Sequence, residues 1–144
     1  MTEQDKLIKL FYHILKRMKK EWNHQINGIN HSQYLILNSL KNSGPQKAAQ
    51  LAELTQNTPG AITSATDKLV AEGYATRKGD ACDRRVVYLE ITDSGRELAN
   101  SLSQALNEVT MHFFQGLPEE DIQHLIRIYQ KISENLDQCK PRAF

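Results

Sequence analysis

Apolar side chains recur every three to four positions along three long stretches near the two ends of the chain. They are Leu7, Phe11, Ile14, Met18 and Trp22, then Leu98, Leu102, Ala105, Val109 and Phe113, and finally Ile122, Leu125, Ile126, Tyr129, Ile132 and Leu136. This spacing places each set on one face of a helix. A small central domain cannot easily cover three such faces, so they predict terminal helices that intertwine with a second copy of the chain. An intramolecular helix bundle is the alternative.

The hydrophobic period and the helix stop signals together predict the remaining elements. Gly44-Pro45 separates the second helix from the third, and Gly116 with Pro118 separates the last two. Helices are expected near 3–26, 32–43, 47–55, 59–72, 93–115 and 118–138, and strands near 74–79 and 86–91. The predicted fold class is mainly α with a small β-hairpin (α+β).

The segment from 51 to 74 contains two short helical patterns joined by a few polar residues. Thr58 is a good N-cap, Pro59 suits the first helical position, and Gly73 suits the end of the second helix. Two helices joined in this way are typical of a helix-turn-helix.

In the second of these helices, Ile62, Ala65 or Thr66, and Leu69 fall on one face. The exposed side is then left with small or hydroxylated side chains and one lysine, at Gly60, Ala61, Thr63, Ser64 and Lys68. Such side chains let a helix approach base edges closely, and a lysine can contact a phosphate. The alternative is a surface helix with ordinary polar residues.

The stretch that follows, 77–92, has the pattern of a short hairpin with a polar tip. Four cationic side chains occur within nine residues, at Arg77, Lys78, Arg84 and Arg85. Burying unpaired charge is costly, so the hairpin should hold these cations in solvent, where they can reach DNA. A solvated hairpin whose acids and bases pair with each other is the alternative. The helix-turn-helix immediately before it favours DNA.

These residues resemble the winged helix-turn-helix of the MarR family of bacterial transcription regulators, and the resemblance covers nearly the whole chain. The matching pieces are Leu51-Ala52-Glu53, Thr58 to Thr63, Asp67-Lys68-Leu69, Glu72-Gly73-Tyr74, Arg77, Asp80-x-x-Asp83-Arg84-Arg85 and Leu89-x-Ile91-Thr92-x-x-Gly95. The resemblance implies one MarR-like domain over 1–144. Within it, 32–92 would form the winged helix-turn-helix lobe that binds DNA, and 1–28 and 93–138 would supply the dimerisation helices.

The function implied is that of a homodimeric regulator, most often a repressor in this family, on a pseudo-palindromic site in double-stranded DNA. The recognition helix would read the major groove and its flanking phosphates through Thr58, Gly60, Ala61, Thr63, Ser64 and Lys68. Arg77, Arg84 and Arg85 would also contact DNA, with Arg85 inserted into a narrow minor groove. Asp83 would orient a wing arginine through a carboxylate-guanidinium pair.

The signal that controls such a regulator is less evident in the sequence. Relatives hold small aromatic ligands in a crevice between the dimer helices and the DNA-binding lobe, and Trp22, His31 and Tyr34 fall where that crevice is expected. Core packing is the alternative for Trp22. Two further functional hypotheses remain: redox sensing through Cys82, and a winged-helix module that binds protein instead of DNA.

Composition limits the other classes of function. The net charge of +1 argues against a general polyanion binder, and the cations of the first helix are expected to form a solvated face. No apolar run approaches the roughly 20 residues that cross a bilayer, and no signal peptide is evident, so a cytoplasmic protein is expected. The five histidines show no metal-ligand spacing, and no nucleophile or phosphate-loop motif occurs. We therefore expect no enzyme activity, no metal and no cofactor.

Overall fold

The computed structural model describes residues 1–26, 28–56 and 58–139. The elements are α1 (Glu3–Gln25), α2 (His31–Ser43), β1 (Gln46–Lys47), α3 (Ala48–Thr55), α4 (Pro59–Ala71), β2 (Ala75–Gly79), β3 (Val87–Ile91), α5 (Asp93–Phe113) and α6 (Glu119–Gln138). This confirms the predicted fold class. The predicted bounds are within two residues of the observed ones, but β1 was not predicted.

The strands form one antiparallel sheet in the order β1-β3-β2. Strand β1 is only two residues long and places Gln46 opposite Leu89 and Lys47 opposite Tyr88. The side-chain amide of Gln46 donates to the backbone oxygen of Ser39 at 3.1 Å, which ties this short strand to α2. The predicted hairpin is therefore the larger part of a three-stranded sheet.

The hydrophobic core lies mainly in the middle of the chain. Its most fully buried large side chains are Ile36, Leu37, Leu40, Leu51, Ile62 and Leu69, from α2, α3 and α4. Leu89 of the sheet and Leu102 of α5 are also buried in this core. The apolar stripe of α5 is therefore partly covered within the single chain, as the alternative of intramolecular packing held for this stripe.

Contacts within the chain divide it into two compact units, the first running from Met1 to Val109 and the second beginning at Thr110. Neither α1 nor α6 buries any of its described residues. On α1, Leu7 is 67% exposed and Phe11 is 55% exposed, and on α6 Leu136 is 65% exposed. Both helices therefore present apolar faces that the single chain leaves uncovered.

Helices α2 and α4 each begin at a defined side-chain cap. Asn30 accepts a hydrogen bond from the backbone of Gln33, whose side chain accepts one from the backbone of Asn30 in return. Thr58 caps α4 by accepting from the backbone N–H of Ala61 at 3.2 Å. These caps satisfy backbone donors at the helix starts and fix where each helix begins.

The start of α5 packs closely against the end of the hairpin. The hydroxyl of Thr92 donates to the backbone oxygen of Gly73 at 2.6 Å and accepts from the backbone N–H of Gly95 at 3.0 Å. A Cβ on Gly95 would lie 2.0 Å from the backbone oxygen of Tyr74. Only glycine fits this contact, which explains why Gly95 ends the motif Leu89-x-Ile91-Thr92-x-x-Gly95.

Across the described residues, every helix is too short or too polar to span a lipid bilayer.

Candidate nucleic-acid interface

Helix α4 separates a buried face from an exposed one, as its sequence pattern predicts. Ile62 and Leu69 have no exposed surface, and Thr66 is 3% exposed. The residues predicted to face DNA are all exposed, namely Thr58, Gly60, Ala61, Thr63, Ser64 and Lys68. Thr63 donates its hydroxyl proton to the backbone oxygen of Pro59 at 3.0 Å, so its hydroxyl can offer a further partner only an acceptor.

Strands β2 and β3 form the wing, and a short loop at its tip holds the two adjacent arginines outward. Across this loop the backbone N–H of Asp80 donates to the oxygen of Val86 at 3.0 Å. Arg84 and Arg85 are both exposed, and the side chain of Arg85 is 91% exposed. The wing tip therefore holds two exposed cationic side chains.

Asp83 organises this tip by binding to Arg85. Its carboxylate accepts from the backbone N–H of Arg85 at 2.9 Å and from the side-chain Nε of Arg85 at 3.3 Å. These bonds to the backbone and then to the side chain lower the pKa of Asp83, because they stabilise its charged form. The structure thus contains a carboxylate-guanidinium pair of the predicted kind, and it assigns the pair to Arg85.

Arg77 has an intramolecular partner on the recognition helix. Its guanidinium donates to the carboxylate of Asp67 in α4, and the two side chains are 42% and 59% exposed. Arg77 lies opposite Leu89 in the sheet register, so it extends from the side of the wing that faces the core. The pair links the wing to α4, and a DNA contact by Arg77 stays a prediction.

Lys47 is a basic residue of this surface that the sequence interpretation missed. Strand β1 brings it beside the wing, where its Nζ lies 5.9 Å from the centre of the Tyr88 ring. A two-residue strand has no visible period, and its pairing with β3 spans some forty residues of sequence. The only local signal was that this lysine stands at the predicted start of the third helix, next to the Gly44-Pro45 break.

The three aromatic residues assigned to a ligand crevice lie together. The rings of Trp22 and His31 are stacked with centres 6.4 Å apart, and the rings of His31 and Tyr34 are 6.3 Å apart. Trp22 also packs against the core, as the alternative held. The hydroxyl of Tyr34 shares a hydrogen bond of 2.8 Å with Ser103 on α5. Ligand binding by this group stays a prediction.

The two cysteines lie at separate, exposed places in the chain. Cys82 is exposed at the wing tip and Cys139 is exposed after α6. Among the described residues no group of three or more His, Cys, Asp or Glu side chains could hold a metal ion. A redox role for Cys82 stays a prediction.

A known protein family shares this arrangement of helix-turn-helix and wing. The MarR family model matches residues 29–87, which include α2, α3, α4 and most of the sheet. The HTH-type transcriptional regulator YkoM of Bacillus subtilis is 30% identical over 105 residues, which are 73% of this chain and 68% of YkoM. The chain belongs to the MarR family.

Two further comparisons extend the MarR match beyond the central lobe. The HTH-type transcriptional repressor MdtR of Bacillus subtilis is 28% identical over 121 residues, covering 84% of this chain and 74% of MdtR. The structure of a MarR family protein from Bacillus stearothermophilus has a TM-score of 0.82 at 18% identity and covers 96% of this chain and 99% of its own. This MarR protein is thus a DNA-binding transcriptional regulator with a winged helix-turn-helix, and MarR proteins are regulators, not enzymes.

Proposed function

We propose that this MarR protein is a cytoplasmic repressor that binds a pseudo-palindromic DNA operator as a homodimer and is released by a small aromatic ligand. One observation carries the DNA-binding part of the proposal. The exposed face of α4 and the arginine tip of the wing belong to one lobe, in which Asp67 and Arg77 link the helix to the wing. The similarity to MdtR, which is named a repressor, supports repression as the direction of regulation.

Within this lobe, the size, exposure and charge of each side chain suggest its role in binding DNA. Gly60, Ala61 and Ser64 let α4 approach base edges, while Thr58, Thr63 and Lys68 contact bases or phosphates near the groove. Arg85 enters the minor groove, where a narrow A·T segment concentrates negative potential. Asp83 holds Arg85 in a defined direction.

The proposed partner in assembly is a second copy of the chain. The uncovered apolar faces of α1 and α6 favour this, because monomers rarely expose long apolar stripes to water. Segments 1–28 and 93–138 would then form the dimer, and 32–92 would form the lobe that binds DNA. Two-fold symmetry would place two recognition helices about one DNA turn apart.

The proposed ligand is a small aromatic molecule, and the observation favouring it is the group of rings formed by Trp22, His31 and Tyr34. Flat rings offer stacking surfaces to another flat ring. A titration of Trp22 fluorescence with simple aromatic acids tests this, and it should show quenching that weakens in Tyr34→Leu and His31→Leu variants.

Selection of binding sites from random DNA tests the operator proposal directly. We expect two inverted half-sites spaced by about one helical turn. The logarithm of the affinity for the recovered site should fall steeply and linearly with the logarithm of the salt concentration, because phosphates that bind the protein release their counterions. Recovery of no enriched sequence, together with binding that is insensitive to salt, would instead support a winged-helix module that binds protein.

A further inference from the structure

The sheet places one tyrosine between two lysines on its outward side. Tyr88 of β3 pairs in register with Lys47 of β1 on one side and with Lys78 of β2 on the other. The next residue, Leu89, is buried in the core, and side chains alternate between the two faces of a strand. Tyr88 and the two lysines therefore form a row across the face that points away from the core.

We propose that Lys47 and Lys78 bind phosphates of the DNA backbone beside the segment that α4 and the wing tip read. This inference rests on the proposed DNA-binding function and adds a second, sequence-independent contact surface to it. We call Lys47, Tyr88 and Lys78 the outer row.

The spacing of the outer row suits a phosphate backbone. Its two lysines stand two strand spacings apart, which is about 10 Å. Successive phosphates of one DNA strand are about 3.4 Å apart along the helix axis, so the lysines can reach different phosphates. Each ammonium group ends a flexible four-carbon stem, which allows the reach to adjust to the DNA.

Tyr88 orders one of these lysines before DNA arrives. The Nζ of Lys47 lies 5.9 Å from the ring centre, within the range of a cation–π contact. A side chain that is already ordered loses less conformational entropy when it binds. The ring also leaves the ammonium group most of its hydrogen-bond donors for a phosphate.

The acids near the outer row do not neutralise it firmly. The Nζ of Lys78 lies 3.8 Å from the Glu90 carboxylate, and their side chains are 71% and 41% exposed. Exposed pairs of this kind contribute little free energy, so a phosphate can replace Glu90 as the partner of Lys78. Asp83, an acid within electrostatic reach of Lys47, is already bound to Arg85.

Lys47 of the outer row interacts electrostatically with Asp83 at the wing tip. The pKa of Asp83 is lowered mainly by hydrogen bonds from Arg85, and the charge of Lys47 lowers it further. Lys47 therefore lies within electrostatic reach of the loop that carries Arg84 and Arg85. One strand of the DNA backbone can pass from the wing tip along this basic edge.

A salt series with single-charge variants tests the proposal. Lys47→Gln, Lys78→Gln and the double variant would be compared with Lys6→Gln, an exposed lysine of α1 that pairs with Glu3. Affinity would be measured by fluorescence anisotropy on the selected operator and on unrelated DNA. We expect each outer-row variant to lower the salt slope by about 0.9 for each subunit, equally on both DNAs. Lys6→Gln should leave the slope unchanged.

The outcomes separate this proposal from the proposed function. If wild-type protein binds the operator with a steep salt slope but the outer-row variants match Lys6→Gln, the outer row does not contact DNA and the wider function stands. If the variants lose operator binding but keep binding to unrelated DNA, the lysines read bases and the phosphate assignment is wrong. If wild-type protein shows no salt-dependent DNA binding, both proposals fall. Each variant must first show the same melting temperature as the wild-type protein.

Discussion

Two adjacent arginines at the wing tip have different surroundings. Arg85 is paired with Asp83, whereas Arg84 has no ionic partner among residues 1–26, 28–56 and 58–139. A held guanidinium can be directed into a narrow groove, while an unheld one is suited to a phosphate. The sequence interpretation already assigned Arg85 to the minor groove, and the structure adds the pair with Asp83 that distinguishes Arg85 from Arg84.

Replacing Arg85 with alanine should weaken binding to the operator by about 1 to 3 kcal/mol and reduce discrimination against G·C pairs at its flanks. Arg84→Ala should lower affinity for operator and unrelated DNA equally and reduce the salt slope by about 0.9 for each subunit. Anisotropy titrations on both DNAs measure these effects. If both folded variants bind as tightly as wild type, the hairpin does not read DNA.

The pair between Asp83 and Arg85 also predicts a dependence on pH. The pKa of Asp83 is lowered by its bonds from Arg85, so the wing-tip pair is intact above the ordinary aspartate value of 3.8. It should be lost only as pH falls through the lower value in the folded protein. The NMR shifts of the Asp83 carboxyl carbon and the Arg85 amide should change together below pH 3.8. An Asp83→Asn variant should lose the change at Arg85, and a midpoint at or above the ordinary value would contradict the pairing.

Among the elements, the recognition helix and the wing are joined by Asp67 and Arg77. This pair is partly exposed, so Arg77→Gln should change the free energy of unfolding by less than about 1 kcal/mol. Because the pair sets the wing against α4, we expect the variant to discriminate less well between operator and unrelated DNA, at an unchanged salt slope. A slope reduced by about 0.9 for each subunit would show that Arg77 is itself a phosphate contact.

The junction between the hairpin and α5 has no room for a larger side chain. In Gly95→Ala the new Cβ would collide with the backbone oxygen of Tyr74 and approach Ile91 at 2.9 Å. Overpacking of this kind costs about 1 to 3 kcal/mol of unfolding free energy. Denaturant unfolding at fixed protein concentration measures it. Gly60→Ala, which meets nothing within 4 Å, should be neutral or slightly stabilising, and equal stability of both variants would contradict the close contact.

Elements with a long period or a clear cap were predictable from the sequence. Helix α4 shows both, since Thr58 and Pro59 mark its start and Ile62, Thr66 and Leu69 mark its buried face. Contacts between elements that are far apart in the sequence were not predictable, because no local pattern of residues indicates them. The pairing of β1 with β3 and the bond from Arg77 to Asp67 both belong to this class.

For the whole molecule, the uncovered faces of α1 and α6 predict the state of assembly. Sedimentation of the purified protein at micromolar concentration should show a dimer, because burying these apolar stripes is favourable. Phe11→Glu, which puts a charge on the α1 face, should shift the equilibrium towards monomer. Lys6→Gln is the matched control on the same helix. A wild-type monomer with native helicity would contradict the proposed dimer.

The exposed apolar stripes of α1 and α6 lie outside the segment that carries the wing and the recognition helix. A chain with defective wing arginines would therefore keep everything it needs to pair with an intact chain. In a cell that makes both kinds, many dimers would hold one intact and one defective subunit, and a site with two half-sites requires both lobes to be competent. Loss-of-function changes in the wing would then be genetically dominant, while changes that abolish the apolar stripes would be recessive.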